Sequence, residues 1–149
     1  LIQMSKANTP QKSAIEQRIN ELVQHSRTLE LYLNEVLERE ATVTKLIEEA
    51  RLASYALQNI SLDKENEALM PLGVGVYLKT NIPSIDKLLV NIGAGVTIEK
   101  TREDTLHYIE SRIKEFEIGL NQLTEQKKQI TSQLEQIQQQ VNSMLRQSS

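Results

Sequence analysis

LGVGVYLKT occupies Leu72–Thr80, and IGAGVTIEKT follows at Ile92–Thr101 as its echo, twenty positions on. The chain has five glycines, and four of them stand in these two G-x-G steps: Gly73 and Gly75, then Gly93 and Gly95. A dinucleotide loop requires a third glycine and then a helix. Here each pair runs into a β-branched stretch instead, VYLKTNI at 76–82 and VTIEK at 96–100. ALMPL (68–72) and KLLVNI (87–92), also short and apolar, precede them. The pattern predicts four short strands. Glycine reaches positive φ without a Cβ penalty, which tight hairpin turns demand. The reading is therefore two β-hairpins within residues 61–100. SLDKENE (61–67) serves as a polar connector, and NIPSID (81–86) as the turn between the hairpins.

Outward from this segment the pattern changes period. Ile15, Leu22, Leu29, Val36, Val43, Ala50 and Leu57 recur every seven residues, accompanied by Ile19, Ser26, Leu33, Glu40, Ile47 and Ser54. On the other side the seam reads Leu106, Ile109, Ile113, Phe116, Leu120, Leu123, Lys127, Ile130, Leu134, Ile137, Val141 and Met144. Such heptads predict two long helices, over 10–60 and 101–146, each facing one partner helix. Thr9 with Pro10 fits the start of the first helix. Thr101 with Asp104 resembles a capping box for the second. The expected architecture is mainly α: an antiparallel two-helix coiled-coil hairpin with two β-hairpins inserted between the helices. Residues 1–9 read as a flexible tail or tag. Glu40 and Lys127 are the charged exceptions in the seam, placed either to pair across it or to snorkel outward. Gly119 sits mid-helix, as a bend or simply tolerated.

Two small hairpins are marginal on their own in water, and their free edges recruit other strands. Oligomerisation is expected through Leu72, Val76, Leu78, Leu89, Val90, Ile92, Val96 and Ile98, with strands of several chains closing into a barrel.

Composition excludes several functions. Net charge is −3 with dispersed basic residues, so no stripe is available for nucleic acid. ALMPLGVGVYL (68–78) is too short and broken to span a bilayer. Cysteine is absent. His25 and His107 lie on different arms; His107 and Glu110 are one turn apart but lack a third ligand. No catalytic constellation, metal site or cofactor is expected, and a soluble cytoplasmic protein is the default.

Helix, two hairpins carrying PLGVGVYLKT and VNIGAGVTIEKT, then helix: this order resembles the α class of prefoldin subunits, over roughly residues 10–145. Pro71 through Gly75, Val90 through Gly95, and Glu99-Lys100 carry the likeness, and the second hairpin points to α because the β class has one. The resemblance implies a hexamer of two α and four β subunits, with hairpins in double β-barrels and coiled coils as tentacles. It further implies ATP-independent holding of unfolded proteins and delivery to a group II chaperonin, in an archaeal or eukaryotic cytosol.

The ends of the arms are chemically distinctive. From Gln129 to Ser149 only Glu135 and Arg146 are charged. Helix ends fray, and fraying would present Ile130, Leu134, Ile137, Val141, Met144 and Leu145, opposite Ile15, Ile19 and Leu22, as client-binding tips. The alternative is a structural spacer or filament former whose hairpins polymerise and whose arms merely project.

Overall fold

A computed structural model describes residues 2–148, with side chains placed over residues 10–148. Two helices flank two small sheets. Helix α1 covers Ile2–Asn59 and helix α2 covers Arg102–Ser148. Between them lie β1 (Asn66–Gly73), β2 (Val76–Ile82), β3 (Leu88–Gly93) and β4 (Val96–Lys100). β1 pairs antiparallel with β2, and β3 with β4, as separate two-stranded sheets. Two long helices with paired hairpins between them is the architecture the sequence predicts. The helix start differs: α1 begins at Ile2, with Pro10 inside it, rather than at a Thr9 cap. Pro10 falls in the third turn, where it removes one i→i−4 hydrogen bond, while Gln3, Met4, Lys6 and Ala7 upstream are good helix formers. The first strand also begins inside the expected connector, at Asn66.

The chain divides into two compact units. One comprises Leu1–Thr44 and Ile118–Ser149, the other Lys45–Glu117. In the first, α1 and α2 pack antiparallel. Leu22, Leu29 and Ile137 are buried, and Ile130, Leu134, Val141 and Met144 pack against them. Val36 is buried too. The heptad columns and the buried side chains coincide, since a residue on a two-helix seam has only the facing helix to cover it.

The seam charges of this unit meet. Lys127 Nζ lies 3.0 Å from each oxygen of the Glu40 carboxylate and donates to Oε2. Oε1 has no hydrogen bond, and the Glu40 side chain is only 17% exposed. A pair held this way costs desolvation that its attraction only partly offsets. Breaking the pair and replacing it whole therefore act in opposite directions. Lys127→Glu, which sets two carboxylates against one another, is expected to lower stability by about 1–3 kcal/mol. Glu40→Leu with Lys127→Leu is expected to raise it. Denaturant midpoints of the two variants check both signs, and a destabilised Leu/Leu pair would show that the ion pair itself stabilises the seam.

In the second unit Ile47 is buried on α1, and Arg51 reaches Glu117 on α2 at 3.1 Å. Both partners are well exposed, so the pair adds little. Phe116 lies beneath the Arg112 guanidinium, 4.7 Å from its ring centroid. The base of the hairpin segment is tied by polar contacts. The Arg102 guanidinium donates to the Ile60 carbonyl, just beyond the end of α1, where a cation also favours the helix dipole. Ile85 N–H donates to Leu62 C=O at 2.9 Å, and Leu62 is buried. The Asn66 amide donates to the carbonyls of Ser61 and Lys64. Ser61 Oγ donates to Asp63 Oδ1 at 2.6 Å and, with a backbone hydrogen bond and the Arg102 charge, holds the Asp63 carboxyl below its ordinary range. Thr101 Oγ1 accepts from Asp104 N–H at 3.2 Å, the N-cap that the spacing predicts for α2. Glu103 and Asp104 set negative charge in that first turn.

Candidate functional site

The hairpins are built as twins. Each ladder runs regularly until a one-residue bulge, between Pro71 and Gly73 in the first and between Asn91 and Gly93 in the second. Each closes on a two-residue turn, Val74-Gly75 or Ala94-Gly95. φ is +115°, +52° and +77° at Gly73, Val74 and Gly75. It is +106°, +51° and +75° at Gly93, Ala94 and Gly95. Positive φ at both central positions is the turn whose twist matches a hairpin. A Cβ at any of the four glycines meets nothing within 4 Å, so the glycines serve backbone conformation and not close packing.

Val74 is the exception to this economy. A β-branched residue at positive φ is strained by roughly 1–2 kcal/mol, and here the side chain is fully exposed, so no contact within the chain offsets the strain. Asparagine tolerates the same conformation. Val74→Asn is expected to raise the unfolding midpoint by about 1 kcal/mol equivalent, read by thermal or denaturant melts; an unchanged or lowered midpoint contradicts the strain.

The surface of the hairpins is apolar and open. Of the residues expected to join chains, Leu72, Val76, Leu78, Leu89, Ile92 and Val96 are all exposed, Leu89 at 74%. Val90 is instead buried within its own unit, and Ile98 is half-buried. The cross-strand pair Val90 and Ile98 is thus largely covered, whereas the equivalent pair of the first hairpin, Met70 and Leu78, stands 47% exposed at both members. Leu69, Met70, Val74 and Tyr77 belong to the same exposed set. The sequence reading took one face of the first hairpin, and a hairpin with no second layer exposes both. An apolar surface this extensive marks an interaction site rather than ordinary solvent-facing scatter.

The expected tip residues are placed differently. Leu22 and Ile137 are buried, and Ile15, Ile19, Ile130, Leu134, Val141 and Met144 are partly buried along the seam. Leu145 alone of that set is well exposed, at 52%. The coiled coil therefore covers most of these side chains with one another. Outward-facing apolar residues that the seam pattern did not single out are Leu31, Tyr32, Leu37 and Ile118 in the first unit and Leu46, Leu52 and Tyr55 in the second. They fall between the heptad columns, where periodicity carries no signal. His25, His107 and Glu110 are exposed. Among the described residues no group of three His, Cys, Asp or Glu converges on one point, and no helix is long and apolar enough to cross a membrane.

Twin glycine-turned hairpins between two heptad helices find a direct counterpart. The family model described as Prefoldin subunit matches residues 29–147. The chain belongs to the prefoldin family. Prefoldin subunit alpha of Nitrosopumilus maritimus is 34% identical over 130 residues, which cover 87% of this chain and 90% of that one. Among solved structures, the prefoldin β subunit from Thermococcus strain KS-1 superposes with a TM-score of 0.61 at 16% identity, covering 87% of this chain and 93% of that one. A filamentous prefoldin from Methanocaldococcus jannaschii superposes with a TM-score of 0.56 at 21% identity, covering 81% and 98%. At those identities the two structures speak for the prefoldin fold. Family membership supports the role of a chaperone subunit, and prefoldins are not an enzyme family.

Proposed function

We propose that the chain is an α-type subunit of a cytoplasmic, ATP-independent holding chaperone. It joins β-type partners through its hairpins, captures unfolded polypeptide at the end of the coiled coil, and passes it to a group II chaperonin. The observation that carries the assembly half is the open apolar surface of the twin hairpins. Each exposed Leu, Val, Ile or Met there contributes about 1.5–3 kcal/mol when fully covered, before association costs. A single-hairpin subunit is a fitting complement, because joining strands satisfies free edges as well as covering side chains.

The holding half works by exchange. Seam residues such as Leu22 and Ile137 are covered by one another, so opening the last turns costs what their burial had contributed. A client that inserts its own apolar side chains restores that contribution, and a client without any does not. Capture thus selects unfolded, apolar segments and stays weak at each end. Several ends on one client raise the effective concentration and with it the overall affinity.

The test is the mass of the complex formed with a single-hairpin prefoldin subunit. A closed complex of two of these chains with four partners is expected. A second reading, the open-ended filament, draws on the filamentous relative at 21% identity. Fibres of this chain alone, without uptake of the β-type partner, would favour that reading and displace the first.

A further inference from the structure

The two arms of the first unit meet in one alignment. Val36 and Ile130 border one surface cleft, and Val43 and Leu123 border another, a heptad further along. Leu29 and Ile137 share the buried cluster a heptad the other way. Between the first two steps stands the Glu40–Lys127 pair, with Nζ 3.0 Å from the carboxylate. Only there does charge enter the heptad columns of either arm. The apolar positions do not define this alignment by themselves. Sliding one arm by a heptad sets Val36 opposite Leu123 or Ile137, and Leu29 opposite Ile130 or Met144, so apolar still meets apolar. The same slide sets Glu40 opposite Leu120 or Leu134, and Lys127 opposite Leu33 or Ile47.

We infer that the Glu40–Lys127 pair is a register lock: it selects one heptad alignment of the two arms, and the seam gives up stability to keep it. In either shifted alignment each charge lies against leucine or isoleucine, and a charge taken from water without its partner is far less tolerable than a paired one. A single polar site on an apolar seam is the device that specifies register in coiled coils. The geometry fits selection better than stabilisation, because Glu40 Oε1 is buried without a hydrogen bond. The hairpin segment joins the arms and makes them antiparallel, and the lock sets the step between them. The stability expected from Glu40→Leu with Lys127→Leu then comes with a loss of uniqueness. One step is about 10 Å along a helix. It changes which side chains near Leu22 and Met144 cover one another, so the lock also fixes the surface a client meets. That consequence rests on the holding reading above, whereas the register itself does not.

The experiment uses full chains, which have no cysteine of their own. Val36→Cys with Ile130→Cys is expected to close an intrachain disulfide under mild oxidation when Glu40 and Lys127 are present. Val36→Cys with Leu123→Cys, and Val36→Cys with Ile137→Cys, report the two shifted alignments. Those links are expected to form about tenfold less often or rarer still, and to rise by the same factor in the Glu40→Leu, Lys127→Leu background. Exchanging the charges, Glu40→Lys with Lys127→Glu, keeps the 36–130 link alone. If a seam cysteine disturbs folding, spin labels on Gln24→Cys and Ser143→Cys, both exposed positions, give an independent reading. One distance is expected with either arrangement of the charges, and a second, longer one in the double-leucine chain. A double-leucine chain with only the 36–130 link, or with a single label distance, would place the register at the hairpin base and overturn the lock. A charge-exchanged chain that links in the shifted alignments would overturn it as well. No client or partner enters these measurements, so failure of the lock and failure of the holding reading are told apart.

Discussion

Gly75→Val together with Gly95→Val abolishes assembly while leaving the helices folded: that is the expected result of the largest single perturbation of this chain. Both positions have φ near +75°. Valine there is strained by about 1–2 kcal/mol per site. In the first hairpin it would follow Val74, putting two β-branched residues at positive φ in succession. Each hairpin has only two strands and no second layer, so little stability is available to absorb the cost. Lost over both hairpins, about 3 kcal/mol corresponds to roughly a hundredfold in an association constant. Gly75→Asn with Gly95→Asn is the control. A new Cβ meets nothing within 4 Å at either site, so asparagine, which accepts this conformation, is expected to assemble almost as the wild type does. Native mass and circular dichroism, measured together, read the outcome. A valine variant that assembles normally would show that the turns do not hold the hairpins.

Removing residues 1–22 and 130–149 has the complementary outcome. The hairpin segment at 66–100 is untouched, and Val36, Ile47 and the Glu40–Lys127 pair remain to hold the helices in register. Assembly is expected to persist, at a mass lower by the missing residues alone. Suppression of client aggregation, followed by light scattering, is expected to be lost, because the exchangeable contacts of Leu22, Ile130, Leu134, Ile137, Val141 and Met144 are gone. Full protection by the shortened complex would place client capture elsewhere, with the exposed Leu31, Tyr32 and Leu37 the first surface to examine.

Periodicity carried much of this architecture. The heptad columns foretold the buried apolar positions of the helices, because a two-helix seam has one such stripe; buried Thr105, at the start of α2, lies outside them. The echo of Gly73 and Gly75 in Gly93 and Gly95 foretold the turns, since glycine reaches positive φ with no Cβ penalty. What it could not carry was anything depending on a third dimension. Glu40 and Lys127 stand out in the seam as charges that either pair or snorkel, and the choice between the two is made only by antiparallel packing, which sets them 3.0 Å from one another across 87 residues of sequence. Val90 and Met70 occupy equivalent strand positions, yet only Val90 is covered, a difference set by how each hairpin sits in its unit and absent from either strand's own pattern. The start of α1 lies eight residues before the expected one, because Thr9 and Pro10 carry the local signature of a helix start while the helix runs through them. The tip residues lie on the seam, where the facing helix covers all but Leu145 at least in part.

The near identity of the two turns has one more consequence. Angles at Gly73, Val74 and Gly75 agree with those at Gly93, Ala94 and Gly95 to within 9°, and a valine follows each. Excising residues 76–95 and rejoining Gly75 to Val96 would therefore leave the local path of the main chain undisturbed. The shortened polypeptide would enter β4 where it once entered β2, and a subunit with one finger would emerge from a subunit with two by a single in-frame deletion.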